Sequence, residues 1–159
     1  MFHVEIVAIG KLSQDFLKNG EKEYLERIKP YYDIKVIELS EYKLEINNRS
    51  DIKKALEAEG KRILNYLKIK KYPIIVLAIE GKEMSSKIFA ENLRNLSNKQ
   101  PGCIFIVGAS YGLSEEVKRE ANSLISLSQM TFPHQLSRVI LLEQIYRAAT
   151  INVGITYHK

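Results

Sequence analysis

Five apolar runs, separated by stretches with helical spacing, constrain the fold of this chain more than any other feature. The runs read as strands at Phe2–Ala8, Asp33–Leu39, Pro73–Ile79, Cys103–Val107 and Ser123–Leu127. Between them the apolar periodicity predicts helices at Gln14–Lys29, Asp51–Lys70, Ser86–Leu96 and Glu115–Ala121, with a final one over His134–Asn152. Ser13, Ser50, Ser85 and Ser114 stand where a side-chain oxygen is wanted to cap a helix N-terminus. Apolar strands that alternate with helices bury both faces of a sheet, so the expected fold is α/β: a mainly parallel sheet with helices on both sides. The 159 residues suffice for one such domain, 1–159, with a core that needs no disulfide or metal to hold it. No internal repeat, low-complexity tract or linker-like stretch interrupts the pattern.

Ligands in such sheets collect outside the carboxyl ends of the strands. The glycines agree with that rule. Of eight in the chain, Gly81 follows the third strand, while Gly108 and Gly112 follow the fourth. Glycine serves where backbone turns sharply or approaches a ligand closely, and turn geometry alone is sufficient for each one taken singly.

The last helix carries apolar residues all round. Leu136, Val139, Ile140, Leu141, Leu142, Ile145, Ala148, Ala149 and Ile151 exceed the single stripe of a surface helix. Such a helix is either central in its own core or covered on its second face by another subunit. In a chain this small the expectation is a homodimer with this helix in the interface.

Several chemistries are excluded. There is no GxxxxGK[ST] phosphate loop, no GxGxxG, no HExxH, no GxSxG and no cluster of Cys and His with metal-ligand spacing. His3, His134 and His158 do not approach one another in sequence, so no metal is expected. The single cysteine, Cys103, lies inside an apolar run and reads as a small buried hydrophobe in a chain of the reducing cytoplasm. No signal peptide is seen, and no aliphatic run approaches the length of a membrane span, so no membrane partner is expected.

The net charge of +5 favours an anionic partner without identifying it. Lys61, Arg62, Lys68, Lys70 and Lys71 stand together with no acid among them, and they equal the whole excess. A solvated helix face is the ordinary reading of such a run; a phosphate-contacting patch is the other. What remains after these exclusions is a set of tight, mostly uncharged loops after three strands. These suit a nucleoside-like ligand without phosphate, and S-adenosyl-L-methionine fits that description.

The segment Ser128-Gln129-Met130-Thr131-Phe132-Pro133-His134-Gln135-Leu136-Ser137-Arg138-Val139 closely resembles the signature of the RlmH family. Its continuation Glu143-Gln144-Ile145-Tyr146-Arg147-Ala148 and the terminus Tyr157-His158-Lys159 resemble it too, as does Val4-Glu5-Ile6-Val7-Ala8-Ile9-Gly10-Lys11. With the total length and the glycine positions, the resemblance spans essentially the whole chain. RlmH enzymes are SPOUT-class methyltransferases that modify N3 of a pseudouridine in 23S rRNA.

The resemblance implies a C-terminal trefoil knot, which pattern reading would not propose because knots are exceptions to normal chain topology. It implies an S-adenosyl-L-methionine site in that knot, between the loops after the third, fourth and fifth strands. Mapped onto this sequence, the cofactor residues are Leu77 and Gly81, the turn at Gly108, and Leu127, Ser128, Gln129, Met130, Thr131 and Phe132. Ala109 departs from the family, many members of which have a second glycine there. By resemblance the substrate is 23S rRNA within the assembled ribosome.

N3 of pseudouridine carries a proton that must leave before its lone pair attacks, so a general base or a positive charge is expected near the acceptor. His158 is the first candidate for that base, since imidazole is the side chain whose ordinary titration range spans neutrality. Against it stands its position, where a frayed penultimate residue is commonplace; the family terminus favours the functional reading. Tyr157 is a candidate for stacking on a base and Lys159 for a phosphate contact.

His134 opens the last helix, where packing or capping explains it as well as catalysis does. Arg138 lies one turn beyond, and Arg147 further along. Either arginine suits RNA binding or stabilisation of the target anion, and either pairs as readily with Glu143. If the enzyme is a dimer, the tail of one subunit could complete the site of the other. Two competing readings are a SPOUT methyltransferase for tRNA or another rRNA position, and a non-enzymatic ribosome-binding protein that uses the Lys61–Lys71 patch.

Overall fold

Alternation within the central strands fixes the layering. A computed structural model describes residues 1–45 and 48–159. In chain order it contains β1 (His3–Ile9), α1 (Asp15–Ile28), β2 (Asp33–Leu39), α2 (Arg49–Leu67) and β3 (Ile74–Lys82). There follow α3 (Ser86–Ser97), β4 (Gly102–Val107), α4 (Glu115–Glu120), β5 (Ser123–Ile125) and α5 (His134–Val153). Val4, Ile6 and Ala8 of β1 join Cys103, Phe105 and Val107 of β4 in one buried cluster, together with Ile28 of α1, Leu93 of α3 and Leu141 of α5. The intervening Val7, Ile9, Ile104 and Ile106 join a second cluster with Ile63 of α2 and Val117 of α4. Helices therefore cover both faces of the sheet, as the period-two burial of a central strand requires.

All strand pairs are parallel, in the order β2-β1-β4-β3-β5. The central strand β4 lies between β1 and β3, and the carboxyl edge of the sheet carries the loops after β3, β4 and β5. The third strand runs to Lys82, beyond the expected end at Ile79. The extension comes from a register shift: both Leu77 and Lys82 lie opposite Ile125. A Cβ at Gly81 would lie 2.5 Å from the Ile125 carbonyl carbon, so this crossing needs glycine. The Glu80-Gly81-Lys82 stretch has no apolar pattern to betray it.

Two of the four expected caps hold. Ser85 and Ser114 accept from the backbone N–H of Ile88 and Val117. Asn48 replaces Ser50, because it stands three residues before Asp51 and accepts that residue's N–H. Ser13 caps nothing: Gln14 occupies the α1 cap position without a side-chain bond, and Ser13 turns to Gln135 instead.

The helix α5 accounts for its own apolarity. It lies between α1 and α3 against the sheet, with Leu141, Leu142, Ile145, Ala148 and Ala149 buried among residues of this chain. Full burial of each large aliphatic among them contributes roughly 1.5–3 kcal/mol. These residues take a place in the chain's own core, while Leu136, Val139 and Ile140 of the same helix stay half-buried. The helix stops at Gly154, whose left-handed backbone (φ 74°) turns the chain back along it.

Candidate active site

The loops after β3, β4 and β5 meet at the carboxyl edge of the sheet and enclose a cleft of about 360 Å³, a size usual for small-ligand sites. One wall is Leu77 to Glu80, a second Val107 to Leu113, and the third Ser126 to Phe132, with His134 and Ser137 of α5 at the rim. Of the residues implied by family resemblance, Leu77, Gly108, Leu127, Ser128, Met130, Thr131 and Phe132 line this space. Gln129 lies within the same loop but outside the lining, and Gly81 sits beneath, against Ile125.

Local chemistry shapes each wall. A Cβ on Gly108 would come within 2.5 Å of the Gly112 carbonyl oxygen, so the β4 turn closes only around a residue without one. The turn is then held by the Gly112 N–H donating to the Ala109 carbonyl at 3.0 Å. Ala109 satisfies this with an ordinary backbone, since no described residue other than glycine has positive φ. On the third wall, Ser126 donates to the Ser128 carbonyl at 2.9 Å, and the Ser128 hydroxyl accepts from the Met130 N–H at 3.0 Å. The loop thereby organises itself and leaves Met130 74% exposed beside the opening.

The cleft is largely uncharged. Its two permanently charged residues are Glu80 and Lys118, whose Oε1 and Nζ lie 2.5 Å apart. The Lys118 bond holds the Glu80 carboxyl below its ordinary range, so the pair stays ionised. Sequence reading missed both residues. The available signal was position alone: Glu80 ends the apolar run of β3, and Lys118 falls one turn after the Ser114 cap.

His134 is the titratable group at the rim. Its Nδ1 lies 3.4 Å from Ser110 Oγ. Burial pushes the imidazole down from its ordinary value; Glu41 acts in the opposite sense and Arg138 reinforces the depression. The ring is therefore neutral at physiological pH.

Arg138 is elsewhere. Only 1% exposed, it donates to Glu38 at 2.7 Å and Glu21 at 3.3 Å from one nitrogen, and to the Gly10 carbonyl at 2.9 Å from another. Arg147, by contrast, pairs with Glu143, as the sequence allowed.

The terminal residues form a separate cluster on α5. Tyr157 donates to Glu143 at 3.1 Å, its ring meets Tyr146 edge-on at 4.8 Å, and Arg147 donates to His158 Nδ1 at 3.2 Å. Burial, then the Glu143 carboxylate, pushes the Tyr157 phenol up to about 12, which keeps it a donor. Glu143 stands nine residues beyond His134, roughly 13 Å along the helix axis. The cleft of the same chain is not lined by Tyr157, His158 or Lys159.

Cys103 is fully buried, and burial lifts its thiol to about 12, so it is an inert hydrophobe. Of the basic run, Lys70 pairs with Glu5 and Arg62 donates to the Ser40 carbonyl. Among the described residues there is no cluster able to hold a metal ion, and no helix is long and apolar enough to cross a membrane.

Comparison with known proteins gives a consistent picture. A family model described as predicted SPOUT methyltransferase matches residues 2–158. A protein of Bacillus cytotoxicus named ribosomal RNA large subunit methyltransferase H is 45% identical over 159 residues, covering 99% of each chain. Its namesake from Bacillus thuringiensis strain Al Hakam is 43% identical over 159 residues, again 99% of each. The namesake from Streptococcus pneumoniae strain CGSP14 is 44% identical over 158 residues, 98% of this chain and 99% of its own.

Proposed function

The chain belongs to the SPOUT methyltransferase family, and from that premise we propose that it methylates N3 of a pseudouridine in 23S rRNA with S-adenosyl-L-methionine. The relatives' shared name supports the large-subunit rRNA as substrate. The observation that carries the reading is the cleft itself. Three loops, from β3, β4 and β5, close on one space that has the size of a nucleoside site, no phosphate clamp and a histidine at its rim.

The cofactor fits the lining by chemistry. It carries no phosphate, and the walls offer backbone groups, apolar Leu77 and Leu127, and one acid and one base able to face a zwitterion. When bound, it supplies an electrophilic methyl on a sulfonium, whose departure as a neutral thioether needs no proton. Leu127, Ser128, Met130, Thr131 and Phe132 with the Gly108 turn would hold it; Gln129 and Gly81 support the same walls from outside the lining.

The chain's own task is the acceptor. His134, neutral and at the rim, is the base that takes the N3 proton. His158 has a different part. Because Arg147 can only donate, the bond to Nδ1 occupies that lone pair and leaves the proton on Nε2. Its Nε2–H is a donor toward the developing anion, where Lys159 adds charge for phosphate, while Tyr157, whose single proton goes to Glu143, holds the tail in place.

The tail lies apart from its own cleft, so it serves the cleft of a second subunit, within a knotted SPOUT homodimer acting on assembled ribosomes in the cytoplasm. Mixing a Gly108→Val protein with one truncated before Tyr157 tests this arrangement. Partial recovery of activity is expected from shared sites; no recovery would place each site within one subunit.

Incubation with methyl-labelled cofactor and ribosomes lacking the modification tests the reaction. Label in 23S rRNA is the expected result. Label in tRNA would point to the other SPOUT activity. Salt-sensitive rRNA binding without cofactor binding would leave only a ribosome-binding protein.

A further inference from the structure

Two side chains of α5 seize the same loop. Gln135 accepts with one oxygen from both the N–H and the hydroxyl of Ser13, at 2.9 and 3.2 Å, and Arg138, one turn later, donates to the carbonyl of Gly10 at 2.9 Å. Gly10 to Ser13 is the exit of β1, an interior strand of the sheet. The same guanidinium reaches Glu38 at the end of β2 and Glu21 of α1, so the opening turns of α5 are tied to three other elements. Side chains one turn apart lie on one helix face.

That face adjoins the cleft, since His134 stands one turn before Arg138, but Gln135 and Arg138 themselves lie outside the cleft lining. His134 and Ser137 line the cleft, and His134 meets Ser110 there. The N-terminus of α5 has little other fixation: Pro133 at its cap position makes no side-chain cap bond. Besides the latch, the polar ties of this first turn are the His134 contact with Ser110 and the bonds from Ser137 to the Pro133 carbonyl.

We propose that Arg138 and Gln135 are positioning residues for methyl transfer, which fix His134 against Ser110 by latching the first turns of α5 to the β1 exit loop. The inference deepens the proposed function and rests on it for the identity of the reaction. Neither residue touches the cleft. Their contribution is orientation, and a displacement of about 1 Å at a reacting group can cost up to about 100-fold in rate. The charged groups acting on His134 are Glu41 after β2 and Arg138 on its own helix, with Ser110 the polar contact from the β4 loop. Since Gln135 is neutral, its removal changes the position of His134 without changing that charge set.

The informative variant is therefore Gln135→Ala, with Arg138→Lys beside it as the conservative change that keeps the charge while losing the fork. Three measurements separate the roles: thermal unfolding, cofactor affinity by calorimetry, and the His134 ring titration by NMR on labelled protein. Gln135→Ala is expected to remain folded and to keep the parent's cofactor affinity, because Gln135 lies outside the cleft lining. Its His134 titration is expected to move up toward the ordinary imidazole value as the ring escapes its site. Turnover on ribosomes should fall about 10-fold or more with KM little changed. Arg138→Lys should show the same pattern more weakly. An unmoved His134 titration in both folded variants overturns the proposal, as does unchanged turnover in a protein whose parent is active. A parent that transfers no methyl to 23S rRNA, but whose His134 titration moves in Gln135→Ala, would refute the function while leaving the latch intact.

Discussion

The guanidinium of Arg147 lies 4.7 Å over the ring of Tyr157, and both side chains donate to the same oxygen of Glu143. One carboxylate thus holds the chain's last residues against the middle of α5. Burial and this carboxylate together keep the phenol protonated up to about pH 12. In Glu143→Ala the second cause is gone while part of the first remains. The Tyr157 titration, followed by NMR on ring-labelled tyrosine, should fall part of the way toward about 10. A titration that stays at the parent value would show that Glu143 does not hold the tail.

The β4 turn makes a steric prediction. Gly108→Ala places a carbon against the Gly112 carbonyl oxygen, with only backbone able to give way. The expected cost is about 1–3 kcal/mol of stability, because overpacking of this kind shifts main chain. Cofactor affinity should fall with it, since Val107 to Leu113 forms one wall of the cleft. Denaturant unfolding and calorimetry on the same preparation check both effects. Unaltered affinity in the folded variant would remove this turn from the site.

The strands were legible because Val4, Ile6 and Ala8 alternate with Val7 and Ile9 within an unbroken apolar run, a pattern that only a doubly covered sheet explains. Gly108 was legible as a turn for the same local reason. The partners of Arg138 were not, because Gly10, Glu21 and Glu38 lie more than 90 residues away in sequence and meet it only through the sheet order. The distance of the Tyr157–Lys159 tail from its own cleft was equally hidden, for it depends on the left-handed turn at Gly154. The site roles came from a resemblance; the periodicity of the chain reaches the cleft's walls and no further.

Arg138 also carries a stability prediction. Replacement by methionine leaves Glu38 and Glu21 facing each other with no cation between them, and burial, with a smaller push from Glu38, already raises the Glu21 carboxyl in the presence of Arg138. Removing one partner of a buried ion cluster costs several kcal/mol; here about 3 kcal/mol is expected because Glu38 keeps some water. Urea unfolding measures it. Adding Glu21→Gln and Glu38→Gln to Arg138→Met should recover part of the loss by removing the stranded charges.

Glu59 gives the opposite electrostatic case. Burial raises its carboxyl above the ordinary value, more strongly than the Tyr42 N–H bond lowers it. A carboxyl raised in the folded state binds its proton more tightly there than in the unfolded chain. Its contribution to stability is therefore greatest at low pH and declines as pH rises from the unfolded value through the folded one. Glu59→Gln keeps an acceptor for Tyr42 and removes that decline. The difference in melting temperature, variant minus parent, should become more positive from pH 4 to pH 7. A difference that shrinks over that range would contradict the assignment.

The central claim is a methyl transfer to one nitrogen of one base, and it is tested most directly by mapping the product. Ribosomes from a strain lacking the modification are incubated with the purified protein and S-adenosyl-L-methionine, and nuclease fragments of the 23S rRNA are analysed by mass spectrometry. The account predicts a single added methyl, located on N3 of a pseudouridine, which is absent when the cofactor is omitted. Unmodified 23S rRNA after incubation with folded, cofactor-binding protein would contradict it.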